Sequence, residues 1–135
     1  MKSSHLLLAL SLCAPAWSQT EVIAPEIDLI FERYCQIAQN VLPILKGVTD
    51  KATAETAAPL LKQQLVPLYL LKKDFAKIGT LPADSQQAIS NKYEQKMRAS
   101  WGDVYAEIYR LQKAQAFASI PFAQQLQAYC TLLNQ

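Results

Sequence analysis

With 135 residues, half of them hydrophobic, the chain is long enough for one packed domain and too short for two. Its 13 basic and 11 acidic side chains leave a net charge of only +2, so nucleic acid is not expected as a partner, nor is a strongly anionic surface. One histidine and three glycines leave little material for metal chemistry or phosphate-cradling loops.

The chain opens MKSSHLLLALSLCAPAWSQT. Lys2 supplies a short positive region, Leu6 to Cys13 an uncharged apolar stretch, and Ala14 to Ser18 a cleavage segment of small residues. This pattern predicts a cleaved secretion signal over residues 1–18, with Ala16 as the second choice of cleavage site. The apolar stretch falls well short of the roughly 20 residues needed to span a bilayer. Cys13 invites lipid attachment, but Leu12 before it is not the small residue such processing prefers. Residues 19–135 then form a single domain, and losing Lys2 lowers the charge to +1, twelve basic against eleven acidic. The leader also carries the only histidine, His5. Its loss removes Ser-His-Asp and Cys-His catalysis and histidine-ligated zinc and haem. No CxxCH, Walker or GxGxxG motif is present, and no cofactor, metal site or catalytic residue is expected. Leu65 to Leu71, the next apolar run, is seven residues long and contains Pro67, so no transmembrane segment is expected after the signal.

Glycine and proline divide the remainder into four helical segments. The first is expected over Pro25 to Lys46. Pro25 suits the first helical position, Glu26 and Asp28 suit the positive end of the helix dipole, and Gly47 offers a left-handed stop. Ile27, Phe31, Tyr34, Ala38, Val41 and Leu45 recur at helical spacing, and Pro43 should bend the last turn. The second begins near Asp50 or Thr53 and ends at Ile78-Gly79. Leu61, Leu65, Leu68, Leu71 and Phe75 continue as one stripe across Pro67, which predicts one kinked helix rather than two. The third and longest is expected over Ala83 to Ala118, with Ile89, Tyr93, Met97, Val104, Ile108 and Leu111 facing the core. Ser119 then caps a fourth, with Pro121 in its first turn and Phe122, Leu126, Tyr129, Cys130 and Leu133 apolar.

No segment alternates with period two, and the links are short. The expected fold is all-α, an antiparallel up-down-up-down four-helix bundle with a long third helix and proline-kinked first and second helices. In such a bundle the first and fourth helices would be neighbours. Cys35 and Cys130, an even pair in an exported chain, would then join them as a structural disulfide. A redox-active pair is the alternative, although redox cysteines usually sit close together in sequence.

Trp101, Tyr105 and Tyr109 recur every four residues on the third segment, with Arg98 and Lys113 nearby and Gly102 leaving a gap beside Trp101. Flat rings with polar edges suit a binding strip for a glycan, a peptide or a partner helix. The plainer reading has them bordering the core stripe. Glu21, Glu26, Asp28 and Glu32 make the start of the first segment acidic, while Lys62, Lys72, Lys73 and Lys77 make the second basic. Both patterns also suit ordinary solvated faces. Asp103 with Glu107, Glu107 with Arg110, Glu32 with Arg33, and Glu94 with Arg98 read as surface charges and ion pairs rather than acid–base dyads.

Asp50-Lys51-Ala52-Thr53-Ala54-Glu55-Thr56-Ala57-Ala58-Pro59, followed by a Leu/Lys-rich helix, resembles a recurring stretch of small exported helical bacterial proteins of uncharacterised function. The similarity runs from Val48 to about Tyr109. It implies an exported helical protein and carries over no activity and no functional residue. The expected function is a non-catalytic binding module, periplasmic or secreted, contacting an unknown protein or envelope component. A holdase-like chaperone and an enzyme working through carboxylates or tyrosines are the alternatives.

Overall fold

A computed structural model describes residues 23–135. The signal segment 1–18, its cleavage site, Cys13 and Glu21 lie outside the described residues. Four α-helices succeed one another: α1, Pro25–Lys46; α2, Lys51–Ile78; α3, Ala83–Lys113; and α4, Ile120–Leu133. They pack as an all-α four-helix bundle whose chain direction alternates up, down, up, down.

Local chemistry sets the helix ends. Pro25 opens α1, and Glu26 and Asp28 occupy its first turn. Gly47 ends α1 with φ −70°, in right-handed rather than left-handed backbone, its N–H donating to the Pro43 carbonyl at 3.1 Å. At the start of α2 a reciprocal cap forms: the Asp50 carboxylate accepts from the Thr53 N–H at 2.8 Å, and the Thr53 hydroxyl accepts from the Asp50 N–H at 3.0 Å. The helix then continues unbroken through Pro59 and Pro67. Each proline lacks an N–H, but Leu61, Leu68 and Leu71 are fully buried on the same stripe, and their burial holds the helix together across both. Gly79 takes a positive φ of 69° at the end of α2.

The third helix is shorter than expected, ending at Lys113 rather than Ala118. Gln115, Ala116, Phe117 and Ala118 form a separate short turn, all with φ between 51° and 61°. Left-handed backbone costs a non-glycine residue roughly 1–2 kcal/mol. The turn reverses the chain and delivers Ser119 as the cap of α4, its hydroxyl accepting from the Phe122 N–H at 3.4 Å.

The neighbour relations depart from the expected ring. α1 packs on α3 and on α2, and α2 packs on α4. α1 and α3 run parallel in a constant register, seen in the pairs Asp28–Lys92, Glu32–Lys96 and Leu45–Arg110. α1 and α4 therefore stand across the bundle from one another rather than side by side. The main core runs through all four helices, from Ile37, Val41 and Leu45 to Leu61, Leu68, Val104, Phe122 and Tyr129. A smaller cluster of Cys35, Ile89 and Tyr93, with Phe31, Leu81 and Met97 packed on it, closes the α1–α3 seam. At 1.5 Å per residue α3 is roughly 46 Å long and α4 roughly 21 Å, so α4 accompanies only part of α3.

This arrangement corrects the expected disulfide: Cys35 and Cys130 are both free thiols. Cys35 faces α3 within the small cluster, whereas Cys130 lies beside Gln112 near the other end of α3. A disulfide needs Cα atoms within about 7 Å, which opposite helices of a packed bundle do not offer at these positions.

Candidate functional site

The aromatic row divides. Trp101 is 4% exposed, stacks on Tyr34 with ring centroids 4.7 Å apart, and donates from Nε1 to the Tyr34 carbonyl at 3.2 Å. It is a core residue and offers no face to a ligand. Tyr105 and Tyr109, by contrast, are 48% and 63% exposed. Lys113 sits over the Tyr109 ring at 5.4 Å, and Arg98 pairs with Glu94 at 2.7 Å, two turns below Tyr105. Gly102 does leave open space: a methyl group built there would meet nothing within 4 Å.

The polar residues are largely occupied with one another. Tyr93 is buried, and its hydroxyl donates to the Asp28 carboxylate; the Asp28 carbonyl at 3.1 Å and Glu32 Oε1 at 3.2 Å lie within reach of the same hydroxyl. Lys92 caps Asp28 at 2.9 Å and Lys96 caps Glu32 at 2.9 Å. The Tyr93 hydroxyl and then Lys92 hold the Asp28 carboxyl below its ordinary range, and Lys96 does the same for Glu32. Burial, reinforced by Asp28, pushes the Tyr93 phenol far up. This is a structural clamp between α1 and α3, and it takes up two of the acids expected to form an acidic patch. Glu32 pairs with Lys96 rather than Arg33, which instead reaches Asp74 on α2 at 2.7 Å. Glu107 pairs with Arg110, whose guanidinium also donates to the Leu45 carbonyl. Of the α2 lysines, Lys72 donates to the Leu133 carbonyl at 2.9 Å, and Lys73 lies over the Tyr69 ring. Among the described residues no group of three or more His, Cys, Asp or Glu side chains is placed to hold a metal. No described helix is long and apolar enough to cross a membrane.

Among the described residues an open groove lies between α3 and α4. Because those helices are joined chiefly through the left-handed turn, two adjoining hollows remain between them, of about 390 Å³ and 210 Å³. Leu111 and Leu126 floor the larger, and Ile108 and Leu133 the smaller. Gln112, Cys130 and Asn134 line both. Gln115 and Ala116 of the turn close one end, and Tyr105 and Tyr109 stand at the other. No lining residue is charged. Gln127, Thr131 and Asn134, at i, i+4 and i+7, run along the α4 wall for roughly 10 Å. Burial raises the Cys130 thiol above its ordinary range, favouring the neutral form.

The structure thus brings Tyr105 and Tyr109 to the groove and leaves Trp101, Arg98 and Lys113 out of its lining. Of the residues that complete it, Gln127 and Asn134 share with Thr131 a polar i, i+4, i+7 stripe along α4 and its C-cap that is visible in the sequence, whereas Gln112 and Cys130 carry no such signal. That stripe gains meaning only once α3 is known to be its neighbour. No protein-family model matches the chain, and no curated protein or solved structure is significantly similar to it.

Proposed function

We propose that the protein is a non-catalytic binding module working outside the cytoplasm, in the periplasm or as a secreted protein, and that it takes its ligand in the α3–α4 groove. One observation carries this reading: the α3–α4 side of the bundle is left open over an apolar floor, within the size range of small-ligand sites. The strained turn at one end of the groove is consistent with it, since left-handed non-glycine backbone tends to be kept where a site needs it. Export rests on the leader-like first eighteen residues and on the Asp50–Pro59 resemblance. The unidentified ligand is a protein segment or another envelope component.

Cys130 supplies the test, because Cys35 is only 1% exposed and stays out of reach of reagent. Alkylation of Cys130 should slow severalfold when an envelope extract is added. Ala123→Trp, which fills the larger hollow, should abolish that protection. Unchanged alkylation, or equal protection of the filled variant, would defeat the reading.

A holdase-like chaperone is favoured by a different feature, the outward face of α2, where Val66, Tyr69 and Leu70 are each more than half exposed. An apolar dye that binds the folded protein and is displaced by unfolded client chains, with no effect of Ala123→Trp, would support that alternative.

A further inference from the structure

Resting on the groove reading, we propose that the ligand is an uncharged peptide segment bound in extended conformation, with alternate apolar side chains set into the floor between α3 and α4. Three observations point there. First, the groove is lined without a single charged side chain, although the chain has many, so a ligand charge buried there would lose water and gain no partner. Second, the walls carry primary amides: Gln112 and Gln115 on the α3 side, Gln127 and Asn134 on α4. Each amide presents a donor and an acceptor together, the same pair that a main-chain peptide unit presents. Gln115, Gln127 and Asn134 are exposed at the groove's edge, where a peptide main chain can replace water on these amides. A helical ligand has already satisfied its own N–H and C=O groups and would leave these amides unused; an extended one has not. Third, the base of the hollows between the amide walls is aliphatic: Ile108, Leu126 and Leu133 reach it with 7% or less of their surface, over a fully buried Leu111, so it is a narrow apolar bottom and not a broad face. A glycan laid on it would press hydroxyls against groups that cannot pair with them, whereas alternate side chains of an extended peptide point down into it. Tyr105 and Tyr109, exposed at one end, offer rings for the segment to pack against as it leaves.

The test uses the full chain and fluorescence anisotropy of dye-labelled nine-residue peptides with blocked ends. Their odd positions carry Leu, Ile or Val and their even positions Ser, Thr or Asn. Saturable binding is expected, weakened tenfold or more by Ala123→Trp and by the double substitution Gln127→Ala, Asn134→Ala. Replacing two odd-position residues of the peptide by Asp or Lys should weaken binding comparably, and a neutral hexasaccharide should not compete. Competition by the hexasaccharide would assign the groove to a glycan. Equal binding of charged peptides, or no saturable binding at all, would overturn the peptide assignment. Cys130 protection by envelope extract but not by these peptides would leave the groove reading standing and sink this one. Circular dichroism of each variant confirms that lost binding is not lost fold; the substituted positions are all exposed, so the helical signal should be unchanged.

Discussion

The Tyr93 hydroxyl lies against two carboxylates that belong to a different helix, and each of those carboxylates also holds a lysine of α3. Tyr93→Phe keeps the ring stacked on Phe31 and removes only the hydroxyl, so it should destabilise by about 2 kcal/mol in urea unfolding. The same clamp gives the acid limb of stability its sign. Asp28 and Glu32 have folded values below their ordinary 3.8 and 4.5, so the unfolded chain takes up protons first as the pH falls. Their contribution is complete above the ordinary carboxylate range and declines as the pH drops through about 4, until the folded carboxylates are protonated too. Stability measured between pH 7 and 3 should therefore fall less steeply in a variant carrying Asp28→Asn with Glu32→Gln than in the natural chain. Tyr129 makes the opposite case: it is fully buried, and its hydroxyl has no hydrogen-bond partner among the described residues. Tyr129→Phe removes a group that is costly to desolvate, and it should leave stability unchanged or raise it by about 1 kcal/mol.

At the level of the helices, some boundaries are legible in the sequence and others are not. Pro25, Gly47, Asp50, Gly79 and Ser119 mark helix ends through backbone chemistry that acts within a few residues, and the observed boundaries agree with them. The unbroken α2 is equally legible, because its leucine stripe keeps phase across Pro67. The turn after α3 is not, since Gln115-Ala116-Phe117-Ala118 contains no glycine and reads as more helix. Its left-handed backbone is imposed by the chain reversal into α4 and by the burial of Ala116, 4% exposed, against the core. That gives a test at this scale: Ala118 is exposed at φ 61°, so Ala118→Gly should relieve strain and stabilise by about 1 kcal/mol, despite the extra freedom glycine gives the unfolded chain. A loss of stability would mean the turn carries no strain. The aromatic row divides for a related reason. Spacing places Trp101, Tyr105 and Tyr109 along one side of a helix but does not say where the neighbouring helix stops covering it.

For the whole molecule, the decisive unknown in the sequence is which helices are neighbours. Short links are enough to fix the alternating directions of an all-α bundle. They do not fix the ring order, and pairing α1 with α3 and α2 with α4 both separates Cys35 from Cys130 and opens the side where the groove lies. Thiol titration of the oxidant-free native protein should find one cysteine, the half-buried Cys130, that reacts slowly in the folded state, and a second, Cys35, that reacts only in denaturant. The central claim is that the α3–α4 groove is where this protein binds. It is tested most directly by two-dimensional NMR of the full chain titrated with the uncharged extended peptides. Shifts should concentrate on Tyr105 to Gln115 and Ala123 to Asn134 and vanish in Ala123→Trp. Shifts centred on Val66, Tyr69 and Leu70 of α2, or spread evenly without saturation, would contradict it.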